Sequence, residues 1–169
     1  MSQLPLSYLD SSLLVRDAAG SYRPAEFAEV LQAALRVLAG QLRSSDVLSS
    51  PQAVRDFLRI KLGTLEHEVF AVIHLDAQHR VIEYVEMFRG TVSQTSVYPR
   101  EIVKESLARN SAALILVHNH PSGVAEPSRA DELLTQTIKS ALALVDVRVI
   151  DHLIVAGPTI LSFAERGLI

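Results

Sequence analysis

The sequence predicts an α/β fold: a mixed β-sheet flanked by helices, with a short helical extension at the N-terminus. Three observations carry that expectation. At Glu68 the chain turns to a run of β-branched and apolar residues, Val69-Phe70-Ala71-Val72-Ile73, with the content and length of a buried strand. Residues 112–117 form a second near-continuous apolar run, and a long helix-patterned segment follows it. The whole order is two helices, two strands, helix, strand, helix and two strands, which implies an α/β sandwich on a mixed sheet.

Each element has its own local signal. Residues 1–23 are of mixed polarity, with Gly20 near a turn, and read as an extended or loosely packed arm. From Pro24 to about Arg43 the apolar residues Phe27, Val30, Leu31, Ala34, Leu38 and Leu42 recur at helical steps. Pro24 suits a first-turn position, where its missing N–H costs nothing. The serine-rich stretch 42–50 reads as a linker. Ser50-Pro51 is an N-cap followed by a first-turn proline, and Gly63 is the expected stop of a short amphipathic helix carrying Val54, Phe57 and Leu58. Residues 68–76 and 80–88 are the two arms of a hairpin turning at Ala77-Gln78-His79, and Gly90 ends the second. Tyr98-Pro99-Arg100-Glu101 opens a helix running to about Ala108. Residues 112–117 form the strand that delivers His118. A long helix runs from Ser128 to about Leu144, and strands follow at 147–155 and 160–163. The expected domains are an arm and helix over residues 1–50 and one larger domain over residues 51–169.

Composition bounds the function classes. With 169 residues, 49% hydrophobic and 21% charged, the chain can bury the core of one domain and carry a helical appendage. A net charge of −3 and scattered Lys and Arg announce no polyanion-binding face. The absence of cysteine excludes disulfides and thiolate metal sites. The first residues lack a basic region followed by a long apolar run, and no stretch reaches the roughly 18 apolar residues that span a bilayer. A soluble cytoplasmic protein is the expectation.

The chemistry concentrates in His118-Asn119-His120-Pro121-Ser122-Gly123, followed by Pro127-Ser128 and Asp131. Alternate residues of an extended segment point the same way, so His118 and His120 can present both rings to one point. Asp131 lies just past a proline-studded turn, which can fold its carboxylate back toward them. Two His and one carboxylate, with a fourth position for water, is the ligand count of a catalytic zinc site. One histidine at a strand end is usually a satisfied core residue. Two beside an acid are hard to explain as packing, because each unpaired buried polar group costs roughly 1–3 kcal/mol. Ser128-x-x-Asp131 also fits a capping box, which would fix where the helix begins and where Asp131 points. The Ser128 hydroxyl could in addition donate to an oxyanion. Asn119 should point to the opposite side and brace the turn.

A hydrolytic zinc site needs a general base for the water proton. Two carboxylates qualify: Glu68, which opens the first buried strand, and Glu86, within the second. Each taken alone is an ordinary strand-end carboxylate. Glu126 in the turn is expected to be solvated. His152, alone on an apolar strand, is expected to pack or to brace a ligand. His67, His74 and His79 show no metal spacing.

A glutamate, then His-x-His-Pro, then seven residues to Ser-x-x-Asp, resembles the JAMM motif of MPN-domain metallopeptidases. Here the pieces are Glu68, His118-Asn119-His120-Pro121 and Ser128-Arg129-Ala130-Asp131. With FRGTVSQTSVYPREIVKESL upstream and DHLIVAG and LSFAERGLI downstream, residues 65–169 are similar to the RadC-like branch of that superfamily. The resemblance implies a cytidine-deaminase-like α/β sandwich and one zinc ion held by His118, His120 and Asp131. It implies Glu68 as base, since the family's glutamate precedes a buried strand, and Ser128 as the oxyanion-steadying serine. Deaminase chemistry itself is excluded, because that zinc site uses a Pro-Cys-x-x-Cys block.

The function implied is metal-assisted hydrolysis of a peptide or isopeptide bond in a peptide or protein substrate. The rivals are a metal-stabilised interaction module without catalysis and a DNA-repair-associated accessory protein. Relatives of the RadC-like branch carry an N-terminal helix-hairpin-helix region associated with DNA. Here the leader is short and not basic, with Arg36 and Arg43 set against Glu26 and Glu29, so direct DNA binding is not expected. The apolar stripe of the first helix is expected to pack on the catalytic domain or on a second copy, giving a homodimer.

Overall fold

The structure is a computed structural model that describes residues 13–44, 51–90 and 96–169. The chain divides into two compact units, residues 1–37 and 38–169. The first holds a hairpin of β1 (Leu14–Arg16) and β2 (Tyr22–Pro24), then the opening turns of helix α1 (Phe27–Ser44). The expected loose arm is thus partly paired. The hairpin turns on Asp17, whose carboxylate accepts the N–H groups of Ala19 and Ser21, and on Gly20 at φ +87°. Pro24 closes β2, contrary to the expectation that it opens the helix, which starts at Phe27. The helix entry is set instead by Glu29, which accepts the Glu26 N–H and a bidentate pair from Arg23. The hydrogen bonds from Arg23 and Glu26 pull the Glu29 carboxyl down to about 2. Residues 42–44 of the expected linker belong to α1, and its remainder, with the Ser50 cap, lies in residues 45–50, outside the described ones.

The second unit is built on a five-stranded sheet in the order β4-β3-β5-β6-β7. Its strands are β3 (Val69–Leu75), β4 (Val81–Arg89), β5 (Ala113–Asn119), β6 (Arg148–Ala156) and β7 (Thr159–Ser162). Three helices accompany it: α2 (Pro51–Leu62), α3 (Pro99–Ala108) and α4 (Arg129–Ala143). β3 runs antiparallel to both β4 and β5, β5 and β6 are parallel across α4, and β7 returns antiparallel to β6. The mixed α/β sheet is as expected.

β3 and β5 are buried at all seven positions, because helices cover both faces of the sheet centre. That is why these strands read as continuous apolar runs without alternation. On one face Phe70, Val72, Leu114 and Leu116 pack with Ile102 of α3 and with Ile138 and Leu142 of α4. On the other, α2 buries Val54, Phe57, Leu58 and Leu62 and lies against β6 and β7. β4 at the sheet edge exposes Glu83, Glu86 and Arg89, charges that discourage further strand pairing.

Gly63 follows α2 as expected, but for a different reason. Its φ is not left-handed; the constraint is space. A Cβ there would lie 2.5 Å from the Arg59 carbonyl oxygen and 2.8 Å from that of Gly157 in the β6–β7 turn. Arg59 Nε donates to the Pro158 carbonyl at the same place. We expect Gly63→Ala to destabilise the protein by about 1–3 kcal/mol through this overpacking. A lower denaturant midpoint at unchanged slope would show it.

Candidate metal centre

The site lies where β5 ends, on the sheet face covered by α3 and α4. His118 is the penultimate residue of β5, and His120 stays extended because its N–H donates to the Val155 carbonyl of β6 at 2.8 Å. The two rings therefore share a face. Gly123, at φ +78°, then lets the chain turn, its N–H donating to the His120 carbonyl. Ser128 caps α4. Its Oγ accepts the Asp131 N–H at 3.2 Å and donates to Asp131 Oδ2 at 2.6 Å, and its own N–H donates to the same oxygen at 2.7 Å. The capping box is complete, and it aims the Asp131 carboxylate at the histidines.

One donor atom from each of His118, His120 and Asp131 lies within 4.8 Å of the others. The two Nε2 atoms are 2.9 Å apart, and Asp131 oxygens stand 3.3 Å from His118 Nε2 and 3.6 Å from His120 Nε2. Burial alone would raise the Asp131 carboxyl. The two facing imidazoles and the Ser128 hydroxyl override it and hold the group well below the usual carboxylate range. The His120 ring is pushed up, first by Asp131 and, against its burial, by the Val124 carbonyl and the charge of Glu68. His120 Nδ1 donates to that carbonyl at 2.8 Å, so Nε2 is the nitrogen turned inward. With both rings neutral and protonated on Nδ1, nitrogen lone pairs and a carboxylate meet at one point. Only a cation relieves that arrangement, either a proton or a metal ion. The donor set of two imidazoles and one carboxylate suits a divalent metal with a position left open.

The two candidate bases fall on opposite faces of the sheet. Phe70 pairs with His118 across β3 and β5, and extending that register by two places sets Glu68 opposite His120. Glu68 has the parity of Phe70, whose ring stacks on His118 at 6.3 Å between centroids, and its charge acts on His120. Glu86 pairs with Ala71 on the other face and meets Lys61 of α2 at 2.9 Å. Glu126 is exposed and pairs with Arg166. His79 accepts from Arg148, and the buried His74 bonds Ser111 at 2.9 Å, burial lowering its pKa to about 4.

Two braces stand behind the site. Asn119 points away from it as expected, but its bonds go to the start of β3 and not to the turn it was expected to brace. Its Oδ1 accepts the Val69 N–H at 2.7 Å and its Nδ2 donates to the His67 carbonyl at 3.0 Å, on either side of Glu68. His152 is fully buried between Phe70 and Phe163, with Nε2 2.8 Å from His118 Nδ1. Burial holds its pKa well below the usual range. Behind it stands Thr135, which sequence reasoning missed, 2.6 Å from His152 Nδ1. The available signal was a polar residue on the apolar stripe of α4, one turn after Asp131.

A protein-family model described as "RadC-like JAB domain" matches residues 48–168. A UPF0758 protein of Leptothrix cholodnii is 62% identical over 150 residues, covering 89% of this chain and 68% of the relative. A UPF0758 protein of Methylibium petroleiphilum is 58% identical over 167 residues, covering 94% of this chain and 75% of the relative. One of Aromatoleum aromaticum is 60% identical over 151 residues, covering 89% of this chain and 67% of the relative.

The Asn119 brace has a measurable consequence. Asn119→Ala would leave the buried Val69 N–H without its acceptor, and we expect a loss of about 1–3 kcal/mol. Equilibrium unfolding in urea should show it as a lower midpoint.

Proposed function

The chain belongs to the RadC-like JAB domain family, and from that premise we propose that it is a zinc-dependent hydrolase of peptide or isopeptide bonds. The observation that carries this reading is the convergence of His118, His120 and Asp131 on one point, with an imidazole lone pair fixed inward by the Val124 carbonyl. His118, His120 and Asp131 hold the metal. When bound, zinc supplies a Lewis acid that polarises the scissile carbonyl and brings the pKa of its water toward about 7.

Glu68 is the general base. It accepts a proton from the attacking water and returns it to the leaving amine, a role supported by its place opposite His120. Ser128 fixes the orientation of the Asp131 carboxylate through two hydrogen bonds to Oδ2. Its hydroxyl turns to the oxyanion only by releasing that carboxylate. Phe70, stacked on His118, keeps one side of the site apolar and strengthens its electrostatics. The substrate is a peptide or protein whose scissile carbonyl reaches the open side of the His-His-Asp cluster. No helix among the described residues is long and apolar enough to cross a membrane.

Protein purified without chelators should contain near-stoichiometric zinc, and His118→Ala or Asp131→Ala should lose it; metal analysis decides. Glu68→Gln should cut hydrolysis of fluorogenic peptide and ε-linked lysyl substrates by roughly 10²- to 10⁴-fold while retaining zinc. Glu86→Gln, on the far face of the sheet, should leave both unchanged. Hydrolysis that survives Glu68→Gln and falls with Glu86→Gln would reverse the assignment of the base.

A further inference from the structure

The buried polar chain behind His118 has a direction, and one main-chain carbonyl sets it. Thr135 lies one turn after Asp131 on α4 and is fully buried. Its Oγ1 is 2.6 Å from the Asp131 carbonyl oxygen and 2.6 Å from His152 Nδ1. A carbonyl has no proton to give, so the threonine hydroxyl donates to it. The hydroxyl then has only lone pairs left for His152, and His152 Nδ1 must carry a proton. A neutral ring holds one N–H, and a ring sealed at 0% exposure is neutral, so His152 Nε2 is an acceptor. His118 Nδ1, 2.8 Å away, supplies the proton for that bond. His118 Nε2 is thereby left with a lone pair, and it is the atom that faces His120 and Asp131.

We propose that Thr135 is a positioning residue: acting through His152, it sets the tautomer of His118 and turns the His118 Nε2 lone pair toward the metal. The inference rests on the metal-holding role proposed above for His118. It also explains why the two histidines are treated differently. His120 lies past the end of β5 and meets a loop carbonyl, that of Val124, directly. His118 lies within the sheet, paired with Phe70 of β3 on one side and Ile154 of β6 on the other, so the main-chain carbonyls around it are engaged in the ladders. A carbonyl is borrowed from α4 instead, and two side chains span the gap. That carbonyl belongs to Asp131, so the backbone of one ligand orients the ring of another.

Valine matches threonine in shape, so a packing role alone would survive Thr135→Val. The tautomer role would not. Heteronuclear NMR of the imidazole nitrogens, on metal-free protein at mildly alkaline pH, reads the tautomers. Competition with a chromophoric chelator reads zinc affinity. Wild type and Thr135→Ser should show Nδ1–H on both His118 and His152 and bind zinc equally well. Thr135→Val should shift both rings to Nε2–H and weaken zinc binding roughly 10- to 100-fold, with the circular dichroism spectrum unchanged. Nε2–H on His118 of the wild-type protein overturns the proposal, whether or not Thr135→Val folds. So does a folded Thr135→Val with wild-type tautomers and wild-type affinity. If the wild-type chain binds no zinc, the metal-centred reading of the function falls, and the metal-free tautomers still decide the relay on their own.

Discussion

Two imidazole nitrogens 2.9 Å apart, with a carboxylate facing both, repel one another unless a proton or a metal ion lies among them. The rest of the second unit holds that arrangement in place. β5 is buried on both faces, so His118 cannot swing away from its neighbours. The inward atoms of His120 and Asp131 are aimed by bonds to their other polar atoms: Val124 O on Nδ1 and Ser128 on Oδ2. Charge that the fold concentrates without neutralising could hold a cation. A cation that binds there adds to the stability of the folded state by mass action.

The alternation of the sheet sorts the carboxylates. Glu68 and Glu86 both come from the β3–β4 hairpin region, and neither is distinguished by its own chemistry. The pleat puts Glu68 on the α4 face beside His120 and Glu86 on the α2 face beside Lys61. A register shift between Phe70 and Ala71 makes the pairing of β4 irregular near Glu86 while β3 stays in strict register with β5. The β3–β5 register is therefore the one that positions Glu68, and Asn119 fastens its end by bonding Val69 and His67 on either side of the glutamate.

Starting the helix and aiming the Asp131 carboxylate are one event in α4. A capping box needs an acceptor at the third helical position reaching back to the N-cap N–H. Asp131 fills that role with Oδ2 and leaves Oδ1 toward His118. The same residue gives its main-chain carbonyl to Thr135. Asp131 thus ties the start of α4, the direct contacts in the site and the support behind His118 into one set of hydrogen bonds. Small movements of the helix start would be felt at all three.

The mixed α/β sheet, the strand that ends in His118, the ββ hairpin and the Ser128 cap were legible because their signals are local. Apolar runs, turn residues and a Ser-x-x-Asp spacing act over a few residues. The i, i+2 spacing of His118 and His120 likewise follows from strand geometry alone. Pro24 was misjudged, and the reason for the glycine at position 63 was not visible, on the complementary ground. Pro24 fits β2 because a partner strand pairs with it, and Gly63 is required because the Gly157 turn lies against it. The brace between Asn119 and Val69 spans 50 positions, His152 reaches His118 across 34, and Thr135 reaches His152 across 17. Sequence alone determined which residues could serve as ligands and the presence of the strand and helix that carry them, although β5 runs to Asn119, two residues past its expected end. Only the tertiary structure decided which glutamate shares their face and which buried side chains aim their rings, because those contacts are made between segments brought together by packing.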